Sequence, residues 1–267
     1  MQLPGKNRRI MKQENIQYFT KEGEEFVNLL INIGVREQDA MVLSFLSSAS
    51  EASFQDIEQG IGLRQPDAWV AIKYLMDQDW IKSQDISQDQ IRHPTKIWQL
   101  KKPITVILDG IESEKRKEAG VRLNHIRKFR NNLSHYPKRK ESISLLVKSG
   151  MKKPVAQVLV FLANTPRATL QQIESGADTF QSNISKATQY LIEKGWIKHC
   201  TNPSGKIGIP TKAFDLAIPI TAIADCIEEE ILDKDNSQLE NIKKMRNFDM
   251  TKVIFLKKDQ HAEKCDG

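Results

Sequence analysis

The sequence predicts a mainly helical fold with small β-hairpins, built twice in tandem. Three observations point to it: an internal repeat at a constant offset, apolar residues at helical spacing through most of each copy, and a short extended pair near the end of each. Gly34 matches Gly150, an offset of 116, and the same shift pairs Val42-Leu43 with Val158-Leu159 and Tyr74-Leu75 with Tyr190-Leu191. It also pairs Trp80-Ile81-Lys82 with Trp196-Ile197-Lys198, Pro94-Thr95-Lys96 with Pro210-Thr211-Lys212, and Arg130-Asn131 with Arg246-Asn247. A repeat that needs no gap over this length is a duplication. The copies run from roughly Glu25 to Asn131 and from Glu141 to Asn247.

The elements follow in order. Phe26, Leu29, Leu30 and Ile33 have helical spacing, and Gly34 stops that helix. A second helix carries Ala40, Leu43 and Leu46; in copy two Pro154 falls in its first turn, where a missing N–H costs nothing. After a short extended stretch, Ser53-x-x-Asp56 and Thr169-x-x-Gln172 signal helix starts, the second as a full capping box. The short helix they open ends at Gly60/Gly62 and at Gly176. A further helix follows a tight turn, from Pro66 to about Gln78 and from Ser182 to about Lys194. Two helices joined by a glycine-containing turn form a helix-turn-helix. The hairpin after it, from Trp80 or Trp196 through Leu100 or Leu216, is a wing, and Pro103 and Pro219 open a last, long helix. In copy two that helix is expected to break at Asp233–Asn236 and restart at Ser237, where Ser237-x-x-Glu240 reads as a capping box. The expectation is therefore a mainly α chain with small β wings: two tandem winged helix-turn-helix domains joined by long helices. The segments are a basic tail at 1–20, copy one at 21–136, copy two at 137–248 and a second tail at 249–267.

Gly62-Leu63-Arg64-Gln65-Pro66-Asp67, then Lys73-Tyr74-Leu75 and Trp80-Ile81-Lys82, resemble archaeal winged-helix regulators of the ArsR/MarR/TrmB-like kind. Gln181-Ser182-Asn183-Ile184-Ser185-Lys186, followed by Tyr190-Leu191 and Gly195-Trp196-Ile197, is similar to the recognition helix of that group. The resemblance implies a transcription regulator with a recognition helix in the major groove of double-stranded DNA, a wing beside the backbone, and association through terminal helices. The transcription machinery is a further partner on this reading. One chain would act as a single-chain pseudo-dimer or as half of a homodimer. Because the copies differ in sequence, it would favour two unlike half-sites about one helical turn apart.

Base readout needs paired donors and acceptors near the start of the recognition helix. Copy two offers Gln181, Ser182, Asn183, Ser185, Lys186 and Gln189, all off the buried stripe of Ile184, Ala187 and Leu191. The bland alternative is a solvated polar face. Copy one offers Arg64, Gln65 and Lys73, but Asp67 opposes phosphate, and Trp69-Val70 stands where copy two has Ser185-Lys186. Trp69 reads better as core or interface than as a base contact. The wings offer Lys206 in copy two and Arg92 and Lys96 in copy one, with Asp85 and Asp89 diluting the latter. Segment 113–140 holds ten Lys or Arg against two Glu, either a solvated helix face or a phosphate track.

A net charge of +6 suits an anionic partner. The cysteines Cys200, Cys226 and Cys265 are sparse and lack CxxC spacing, as in a reducing, cytoplasmic compartment. No apolar run approaches membrane-spanning length, so no membrane partner is expected. No P-loop, GxGxxG, HExxH or GxSxG motif occurs, and the histidines show no ligand spacing. Neither catalysis nor a cofactor or metal is expected. The alternatives to a DNA-binding regulator are a winged-helix protein-interaction module or scaffold, which Trp69-Val70 favours, and an enzyme, which no reactive constellation supports.

Overall fold

The computed structural model describes residues 20–86, 95–133, 139–202 and 211–253. In the first repeat, α1 (Lys21–Asn32) and α2 (Glu37–Ser48) precede β1 (Ala52–Ser53), α3 (Phe54–Ile61) and α4 (Gln65–Asp77). Strands β2 (Ile81–Ile86) and β3 (Thr95–Leu100) follow, and then the long α5 (Ile104–Asn132). The second repeat has the same order: α6 (Arg139–Lys148), α7 (Lys153–Asn164), β4 (Ala168–Thr169), α8 (Leu170–Ala177), α9 (Gln181–Glu193), β5 (Ile197–Asn202), β6 (Thr211–Leu216) and α10 (Ile220–Arg246). A 3-10 turn, Met250–Lys252, comes last. The chain is thus mainly helical with two small antiparallel sheets. No helix among the described residues is long and apolar enough to cross a membrane.

Each sheet has three strands, not the two of a simple hairpin. The short extended stretch before α3 joins the hairpin edge as β1, in the order β1-β3-β2, with Ala52 opposite Trp98. The second sheet repeats this as β4-β6-β5, with Ala168 opposite Phe214. That edge pairing fixes where α3 and α8 begin. Both starts are complete capping boxes, Ser53 with Asp56 as well as Thr169 with Gln172. Aspartate therefore does the work of the expected glutamate or glutamine: its shorter carboxylate accepts from the Ser53 N–H at 3.0 Å. Thr169→Ala leaves the Gln172 N–H without its side-chain acceptor and should cost about 1 kcal/mol in a urea melt; an unchanged midpoint would contradict it.

Gly60 and Gly176 do not end these helices. α3 runs on to Ile61 and stops where Gly62 turns left-handed at φ 64°, and α8 stops at Asp178, φ 54°. Gly60 and Gly176 lie inside the last turn, beneath aromatic rings. A β-carbon on either would sit inside van der Waals contact with the Phe45 or Phe161 ring.

The chain forms two compact units, 1–112 with 238–267, and 113–237. Repeat and unit are different segments, because each long helix contributes its two halves to different cores. The first unit buries Phe26, Leu30, Leu43, Ile72 and Leu75 together with Ile107 and Leu108 from the start of α5. Into the same core go Ile242 and Met245 from the end of α10. The second unit buries Leu146, Leu159, Ile173 and Leu191 with Ile223 from the start of α10, and with Ile126 and Phe129 from the end of α5. Ile126 and Phe129 are the repeat equivalents of Ile242 and Met245.

The same exchange is locked twice by charge. Arg130 bonds Asp225 and Glu228 in the second unit, and Arg246 bonds Asp109 and Glu112 in the first. All three residues of one cluster match the other at the repeat offset. The expected break in α10 is absent; the helix is continuous through Asp233–Asn236, and Ser237 lies in its interior.

Candidate nucleic-acid interface

α9 is held by a stripe of Ile184, Ala187, Thr188 and Leu191, all buried. The Thr188 hydroxyl donates to the Ile184 carbonyl at 2.9 Å, so this polar group is satisfied inside the helix. A stripe of that width leaves the opposite face outward. Gln181, Ser182, Ser185, Lys186 and Gln189 are exposed there, and Asn183 is half-buried at the edge. The structure thus places the six recognition-helix candidates of copy two on one helix. Two are partly engaged: the Ser185 hydroxyl donates to the Gln181 carbonyl at 3.3 Å, and the Gln189 amide donates to Glu193 at 3.0 Å.

Sequence reasoning passed over Phe180, the residue before α9, which is 81% exposed and makes no side-chain cap. The signal was available, since Arg64 stands at the equivalent place in copy one.

α4 presents a different face. Arg64, Gln65 and Lys73 are exposed, but so are Asp67 and Asp77. Trp69 and Val70 are half-exposed, at 50% and 56%, so Trp69 is not part of the core. It stands on an aromatic cluster instead, edge-on to Phe54 at 6.1 Å and to the buried Trp98 at 6.3 Å. Copy two has Leu170, Ser185 and Phe214 at those places, which removes the exposed ring.

Of the sheet residues, Lys96 is exposed on β3 with Asp85 opposite it on β2. Arg92 and Lys206 lie outside the described residues.

Part of the basic segment is already neutralised. Arg127 bonds Glu228 at 2.7 Å and Arg130 bonds Asp225 at 2.8 Å, and these carboxylates hold the Arg130 guanidinium above its usual range. On the same helix as Glu228, Glu230 holds Lys194 at 2.6 Å. Arg122 donates through Nε to the Ser149 carbonyl at 3.1 Å. A continuous phosphate track along α5 would have to break these contacts.

No protein-family model and no curated protein matches the chain. Its own two repeats are the comparison that informs the site. Cys226 is partly buried against the second core, and the His199 ring lies tilted against Phe214 with centroids 4.9 Å apart. Among the described residues no cluster of His, Cys, Asp or Glu could hold a metal ion.

Proposed function

We propose that the chain is a sequence-specific DNA-binding transcription regulator made of two tandem winged helix-turn-helix units, with α9 as its principal reading helix. The observation that supports this reading is the contrast between two equivalent helices. α9 exposes amides, hydroxyls and a lysine through its first two turns with no acid among them, whereas α4 exposes Asp67, Trp69 and Val70. Hydrogen-bonding side chains at the start of a recognition helix discriminate base edges, and an acid at the same height repels phosphate. The unlike helices make the single chain a pseudo-dimer in this proposal, suited to an asymmetric site, and the sparse cysteines fit a cytoplasmic protein.

Selection of the full chain against random duplex DNA at low salt tests it. A defined motif should be enriched. Gln181→Ala and Ser182→Ala should each weaken the selected site by about 1–2 kcal/mol while changing affinity for random DNA little. Larger losses from Arg64→Ala and Gln65→Ala would transfer the reading role to α4. No enrichment at low salt would favour the second reading, a protein-interaction module, for which the half-exposed Trp69, Val70 and Met76 on α4 are the supporting observation.

A further inference from the structure

A cavity of about 410 Å³ opens within the second unit, at the side of α9. That volume lies in the range of small-molecule sites. Its floor is apolar, formed by Val155, Ala187, Trp196, Ile227 and Ile231, all buried. Tyr190 stands at its wall, edge-on to Trp196 at 6.4 Å. Four cations surround this floor: Arg122, Lys152, Lys186 and Lys234. Its one acid, Glu230, is bonded to Lys194 at 2.6 Å. Among the described residues Lys152, Lys186 and Lys234 make no ion pair, and Arg122 meets only a backbone carbonyl.

The repeat supplies an internal control. At the repeat offset Arg122 corresponds to Gln238, Lys186 to Val70 and Lys234 to Glu118. Lys152 becomes Arg36, whose guanidinium lies 4.3 Å over the Tyr74 ring and pairs with Asp39 at 2.6 Å. Asp39 itself replaces the apolar Val155. The repeated fold therefore does not require Arg122, Lys186 or Lys234 as cations, and only at Lys152 is the charge kept.

We propose that this cavity is a binding site for a small organic phosphate with an apolar or aromatic body. The head would lie among Arg122, Lys152, Lys186 and Lys234, and the body on Trp196 and the isoleucines. The charge count favours a phosphate over a single carboxylate, because a dianion or diphosphate can engage several of these cations together. Lys186 and Asn183 line the cavity and also stand on α9. A bound phosphate would occupy Lys186, so ligand and DNA would exclude one another there. This second statement rests on the proposed role of α9; the first does not.

The test uses the full chain without DNA, titrated with 1-naphthyl phosphate, 1-naphthol and inorganic phosphate. The naphthyl phosphate should bind saturably, at least 30-fold more tightly than either part alone. The variant carrying Arg122→Gln and Lys234→Glu, which installs the residues found at the repeat offset, should keep its melting temperature and lose at least 30-fold in affinity. Equal binding of naphthol, equal binding of inorganic phosphate, no saturable binding, or an unaffected variant would each overturn the site. With the site established, naphthyl phosphate should weaken DNA binding by the wild-type chain and not by the variant. DNA affinity unchanged at saturating ligand would overturn the exclusion.

Discussion

Ile242→Ala is expected to weaken the unit formed by 1–112 and 238–267, and to spare the unit that holds most of its own repeat. Ile242 is fully buried, in a core with Phe26, Leu30 and Leu43. Removing three carbons from such a site costs the lost transfer energy and leaves a cavity, together about 2–5 kcal/mol. The mirror variant, Phe129→Ala, removes a buried ring from the core of Leu159 and Leu191 and should cost about 3–5 kcal/mol in the other unit. Amide exchange distinguishes the two. Ile242→Ala should speed exchange in α1 and α2, and Phe129→Ala should speed it in α7 and α9. If each variant loosened its own repeat instead, the exchange of helix ends would be wrong.

Gly176→Val should destabilise the second unit by about 3 kcal/mol. Two effects compete at this position. Replacing glycine inside a helix returns a fraction of a kcal/mol of backbone entropy. Against it, the new β-carbon would fall 2.1 Å from a carbon of the Phe161 ring, and a branched side chain adds two more carbons. Gly176 and Phe161 are only half-buried, but packing extra carbons against a ring seated on the core still forces side chains off their rotamers or shifts backbone, at about 1–3 kcal/mol. The steric cost wins because the obstacle is a whole ring in contact with the helix. A Phe161→Leu partner substitution should recover part of the loss, and the double-mutant cycle measures how much is shared. A Gly176→Val protein as stable as the parent, or with no coupling to Phe161, would refute the account.

Much of this fold was legible in the sequence because the same helical stripes occur twice. The elements from Phe26 to Ile111 and their repeats follow from the apolar spacing and turn signals. The six candidate residues on α9 were placed by the same arithmetic, as what remains outside Ile184, Ala187 and Leu191. Other features were illegible for physical reasons. The stripe of Leu239, Ile242 and Met245 required burial, but spacing within a helix names no partner, and Ile242 and Met245 joined a core begun more than two hundred residues earlier. The polar run at Asp233–Asn236 suggested a break because Asp233, Asp235 and Asn236 are modest helix formers. The cost of carrying three such residues is small beside the burial of Ile231 and Leu239 on either side. Arg130 and Arg246 pair with Asp225/Glu228 and Asp109/Glu112, acids that lie about a hundred residues away or more, where no local pattern points to them. The cavity draws on Arg122, Lys152, Lys186 and Lys234, which no local window brings together.

The exchange of helix ends sets an order for folding during synthesis. Unit 113–237 is a continuous stretch and can close as soon as its last residue has left the ribosome. The unit begun by the N-terminus cannot, because Ile242 and Met245 are made about 130 residues after Glu112. At ordinary elongation rates that delay is on the order of ten seconds. For that interval, in which the inner unit is itself being made, Phe26, Leu30 and Leu43 face a core with one wall missing. The first-made hydrophobic surface thus waits longest for its partners and is the one most in need of a chaperone.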